Sequence, residues 1–92
     1  MTSVELIGKI DDAIQQTKQL IAREPDRSAL PIILRQLLDL QSIYARDRNF
    51  AAVQKDKVTM GVIVAKSDYD VIFPQYADLI HDITFALDNA KT

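Results

Sequence analysis

The 92 residues contain no cysteine and no tryptophan, one histidine and two glycines. Without cysteine there is no disulfide framework and no thiolate metal site, so the fold must stand on packing, as suits a reducing cytoplasm. Gly8 and Gly61 alone cannot build a phosphate-cradling loop. His81 is the only histidine to serve a serine or threonine nucleophile, and no G-x-S-x-G occurs. No apolar run approaches the ~18 residues of a membrane span. Glu5, Lys9, Asp11 and Asp12 interrupt any signal-peptide core. Basic excess is lacking as well. Eleven Lys and Arg stand against thirteen Asp and Glu, net −2, which argues against nucleic acid as a partner. These absences lead us to expect no catalysis, no cofactor, no metal and no membrane insertion.

What is present suits one small folded domain over 1–92. Apolar residues make up 48% of the chain, too many for disorder. Charge is uneven: residues 1–66 carry ten bases and eight acids, net +2, whereas 67–92 carry five acids and one base, net −4. An acidic end suits a solvated face or a surface for a basic partner.

Helical periodicity dominates. Thr2 and Glu5 have the spacing of a capping box, and Ile7, Ile10, Ile14, Thr17 and Ile21 recur as on one face of a helix over about 3–23, ended by Pro25. Asp26 or Ser28 can cap a second helix over about 29–46, with Leu30, Ile33, Leu34, Leu37, Leu38, Gln41 and Tyr44 as its stripe and Pro31 in its first turn. A turn is expected at 47–49, then a short helical segment able to run on towards residue 58. Arg46, Arg48, Lys55 and Lys57, interleaved with Asp47 and Asp56, read as a solvated face.

Residues 58–66 (Val-Thr-Met-Gly-Val-Ile-Val-Ala-Lys) are apolar on nearly every side, so the rest of the chain is expected to surround them. Val62, Ile63 and Val64 favour a strand, but a lone strand has no partner unless a second chain supplies one. A central buried helix is the expectation, with Gly61 admitting a close neighbour. Residues 67–72 read as a loop, with Asp70 as a cap. Phe73, Tyr76, Ile80, Ile83, Thr84 and Leu87 form the stripe of a last helix over about 71–88, stopped by Asn89. The fold class expected is all-α: a small antiparallel bundle of about four helices around 58–66.

Three constellations invite a chemical reading. His81 lies among Asp78 and Asp82, yet one histidine and some aspartates make a poor metal site. Asp68-Tyr69-Asp70 can cap the loop or meet a partner. Tyr69, beside two acids, is the candidate exposed aromatic anchor. Asp78 and Asp82 are four apart and share a helix face outside the apolar stripe. Asp68, Tyr69, Asp70, Asp78 and Asp82 are therefore the candidate partner-binding residues, against the plainer reading that the acids serve solubility.

The ordered set Gln36-Leu37, Ser42, Asp47-Arg48, Thr59-Met60-Gly61, Ile63-Val64-Ala65-Lys66, Pro74, Ile80 and Asp82 resembles small helical immunity proteins of bacterial type VI secretion. Proteins of that family are paired with toxins that degrade NAD(P)⁺. The likeness covers roughly residues 34–85, and the first helix matches in pattern only. Ser67 stands where an acid is expected, and the 67–73 connector is one residue longer, differences that bear on which toxin is bound. The resemblance implies a cytoplasmic, non-enzymatic protein that binds a cognate toxin domain and plugs its active-site cleft. It transfers no contact residue; Gly61 and its neighbours read as core and Asp47-Arg48 as a turn-stabilising pair. The alternative from another class is a helical adaptor or secretion chaperone without inhibitory role. Homo-oligomerisation is left open by the sequence.

Overall fold

Thr2 starts the first helix as its spacing predicts. Its backbone is extended and its hydroxyl oxygen accepts from the Glu5 amide at 3.1 Å, satisfying one of the orphan N–H groups of a helix start. The structure, a computed structural model, describes residues 2–89. Five α-helices follow in order: α1 (Ser3–Arg23), α2 (Ala29–Asp47), α3 (Met60–Lys66), α4 (Tyr69–Ile72) and α5 (Pro74–Asp88), with a 3₁₀ turn at Lys55–Lys57. No strand occurs among the described residues, so the all-α expectation holds. Residues 58–66 contribute a helix and not a strand.

α1 and α2 make a helical hairpin across Glu24–Ser28, and Gln41 of α2 donates to Asp11 of α1 at 2.9 Å. Ser28 occupies the N-cap position of α2, but no side chain caps it, so neither Asp26 nor Ser28 does the expected work. α5 lies antiparallel to α1, as two cross-links fix: the Thr17 and Tyr76 hydroxyls are 2.7 Å apart, and Lys9 reaches Asp82 at 3.3 Å. The core lies where these three long helices meet. Ile10, Ala13, Leu30, Ile33, Leu37, Ala77, Ile80 and Ile83 are fully enclosed there.

Two boundaries differ from the sequence expectation. The segment after α2 does not run on as helix. Arg48 closes α2 in the left-handed region (φ 60°), Phe50 turns inward to stack on Tyr44 with ring centroids 5.3 Å apart, and the chain stays extended at Val58 before α3. The turn is held by Asn49, whose side-chain nitrogen donates to the Asp47 carbonyl at 3.1 Å and whose side-chain oxygen accepts from the Ala51 amide at 2.9 Å, rather than by an Asp47–Arg48 pair. Asp47 is paired with Arg46, which forms two 2.9 Å bonds to its carboxylate. That contact holds the Asp47 carboxyl below the usual carboxylate range. At the other end, the helix expected from residue 71 starts at Pro74. Phe73 lies outside the helical region (φ −130°, ψ 65°) because a residue preceding proline avoids it.

α3 is not the buried centre of the bundle. Met60 and Val64 are fully enclosed, but Val62 is 56% exposed, and Ala65 and Lys66 also face solvent. A seven-residue helix laid against α2 and α5 has only one covered side. Its start is clamped from α2. The Gln36 side-chain oxygen accepts from the Thr59 and Met60 amides at 3.0 and 2.9 Å, and its nitrogen donates to the Thr59 hydroxyl at 2.8 Å.

Gly61 fulfils its expected role. A Cβ there would stand 3.2 Å from the Thr84 hydroxyl of α5, tighter than ordinary van der Waals contact. Gly61→Leu is expected to destabilise by about 1–3 kcal/mol through overpacking, read as a lower urea midpoint.

Candidate interaction surface

After α3 the chain turns through Asp68, the second residue with positive φ (59°). Aspartate tolerates this left-handed conformation better than most residues. The turn rolls 69–72 into one helical turn, so the expected loop is helix α4. Here the structure corrects the reading of Tyr69. Tyr69 is 2% exposed and cannot serve as an exposed anchor. Its ring meets Phe73 edge-on, with centroids 5.3 Å apart. The Arg27 guanidinium covers both rings, 6.0 Å from the Tyr69 centroid and 5.2 Å from that of Phe73. Burial pushes the Tyr69 phenol up, partly countered by the Arg27 charge. Successive residues of a helical turn point about 100° apart, so the tyrosine faces in while both flanking aspartates face out.

The four candidate aspartates are all exposed. Asp70 lies 2.9 Å from Nε2 of His81, which joins α4 to the outer face of α5. Asp82 is engaged by Lys9, and an exposed pair of this kind is worth only ~0–1 kcal/mol. Asp78 lies one turn before Asp82 on that face. Asp70, Asp78 and Asp82 therefore border one surface, while Asp68 stays at the start of α4. His81 serves as the hydrogen-bonded link between α4 and α5. No group of three or more His, Cys, Asp or Glu side chains converges on a metal position among the described residues.

Sequence reasoning passed over the apolar side chains of this surface. Val71 is 80% exposed on α4 and Phe85 is 70% exposed on α5. An open groove of about 480 Å³ runs between α3 and α5, lined by Val58, Gly61, Val62, Ala65, His81 and Thr84 among others. The signal was available: Phe85 lies off the Phe73–Leu87 stripe, three residues after Asp82, so a large ring falls on the polar face. No helix among the described residues is long and apolar enough to cross a membrane.

The core is closed, and the charge and several large apolar groups lie on the outside, where a partner protein can reach them. The Tsi6 family model matches residues 5–89, and the chain belongs to this family of type VI secretion immunity proteins. No curated protein and no solved structure matches it. The match extends over α1, which the sequence motifs covered only in pattern. The structure gives several of the motif residues a physical role: Gln36, Thr59 and Met60 are joined by hydrogen bonds, and Gly61 is the close contact to α5.

Proposed function

We propose that this immunity protein neutralises a toxin that degrades NAD(P)⁺ by sitting over the toxin's active-site cleft in the cytoplasm of the producing cell. One observation carries the reading beyond the family: the exposed carboxylates Asp68, just before α4, Asp70 on α4, and Asp78 and Asp82 on α5 fall in a segment of net charge −4. A cleft that binds a dinucleotide's phosphates is electropositive, so an acidic surface is steered to it and competes with the substrate. The chain acts by occupancy, with no chemistry of its own.

The test is co-purification with the product of the adjacent reading frame, followed by an NAD⁺-loss assay. The wild-type chain should bind and stop NAD⁺ loss. Joint Asp68→Lys and Asp70→Lys reversal should slow association about tenfold at low salt, and added salt should narrow that gap. Tight binding that leaves NAD⁺ loss untouched would make the chain an adaptor or chaperone instead.

A further inference from the structure

We propose that the outer ridge of α5 enters the toxin's cleft as an imitation of the dinucleotide, with Phe85 in the place of a planar ring and the carboxylates on either side of it in the place of phosphates. The inference rests on the toxin-blocking reading and names the residues that would perform it. Phe85 is 70% exposed, whereas Phe50 is only 6% exposed and Phe73 packs against Tyr69. Residues three and four apart on a helix lie about 5–6 Å apart, so Asp82 precedes the ring by one turn and Asp88 follows it by one turn. Asp78 extends the acidic line a further turn back. A flat apolar group with anionic groups along the same line is the chemical outline of a base or nicotinamide joined to its pyrophosphate.

The occupant follows from that chemistry. A single exposed phenylalanine on a soluble chain needs no explanation by itself. Here the ring stands among carboxylates, and a partner that covers it must cover them too. Asp82 keeps Lys9 as its own partner at 3.3 Å, so the demand falls on Asp78 and Asp88: leaving their carboxylates buried without partners is prohibitive, and the partner must present Lys, Arg or backbone N–H groups around an apolar slot. A pocket built for NAD(P)⁺ offers that combination. Val62, 56% exposed across the groove from His81 and Thr84, gives the rim of such a pocket a second apolar contact. The ridge is convex and rigid, since the opposite face of α5 is locked into the core by Tyr76, Ile80, Ile83 and Leu87.

The purified toxin domain encoded by the adjacent reading frame is titrated with the wild-type chain and with Phe85→Ala, Asp88→Lys and Leu38→Ser, the last at an exposed position of α2. Binding is read as Kd, as NAD⁺ loss, and as displacement by carba-NAD⁺, an analogue whose nicotinamide–sugar bond resists cleavage. Phe85→Ala and Asp88→Lys should each raise Kd at least about tenfold, with Leu38→Ser unchanged, unaltered helix content in each variant, and carba-NAD⁺ competing with the wild-type chain. If the wild type protects while both α5 variants bind as tightly as it does, this inference is overturned and the immunity reading stands. Saturating carba-NAD⁺ that fails to displace the wild type overturns the imitation as well. A Phe85→Ala variant that loses self-association but keeps its toxin affinity makes the ridge a contact between copies, again against the inference. A wild-type chain that neither binds nor protects removes the immunity reading and this inference with it.

Discussion

Met60→Ala is expected to cost about 2–5 kcal/mol, a large share of the roughly 5–15 kcal/mol that holds a small domain together. Met60 is fully enclosed, and its truncation leaves a cavity between α3 and the two helices it rests on. Val62→Ser, two residues on, is expected to change stability by no more than about 0.5 kcal/mol, because Val62 already stands 56% in solvent. Urea unfolding of the two variants side by side measures the difference directly. Equal losses at both positions would mean that α3 is enclosed on all sides, as its composition alone suggests.

The second large effect is alkaline. Tyr76 is 4% exposed and its phenol is pushed up to about 12, chiefly by burial, with the hydrogen bond to Thr17 acting the other way. Above the ordinary tyrosine value of 10.0, the unfolded chain ionises this group and the folded chain does not. Folding therefore retains its full stability below about pH 10, loses it progressively as pH rises towards 12, and has no more to lose through this group beyond that. A shift of that size corresponds to roughly 3 kcal/mol. Tyr76→Phe should cost about 1 kcal/mol at neutral pH, since the Thr17 hydroxyl keeps its 2.6 Å bond to the Ala13 carbonyl. The variant should then show a markedly flatter decline across the alkaline range. Parallel slopes in wild type and variant would show that this phenol ionises equally in both states.

Long amphipathic helices were legible because many residues vote on one face. α1, α2 and the inner face of α5 all follow from apolar spacing, and Thr2 marks the first start, but within α2 the expected stripe residue Leu38 is exposed and Leu40, outside that stripe, is buried. Short elements were not, because their conformation is decided by neighbours distant in sequence. Nothing local to 58–66 says which side α2 and α5 will cover, so even hydrophobicity was taken for even burial. Nothing local to Asp68 says that it will adopt positive φ and roll Tyr69 inward under Arg27. The Phe73 break was readable from Pro74 alone but was outweighed by the stripe that runs through it. Exposed aspartates were found because charge is a dependable sign of the surface. Phe85 was passed over because a stripe leaves out what lies off it, although it is 70% exposed.

The Gln36 clamp makes one helix the dependant of another. An isolated seven-residue helix is far below the length of about 12–15 residues at which helices become even marginal in water, and α3 has no side-chain cap of its own at Thr59. Its first amides are satisfied by a side chain 23 and 24 residues earlier in the chain. α3 therefore has no conformational existence apart from α2: the hairpin of α1 and α2 must already be standing before this turn of chain can settle. The groove wall that carries Val62 therefore rests on contacts made across 23 and 24 residues of chain, and it loosens whenever the α1–α2 hairpin does.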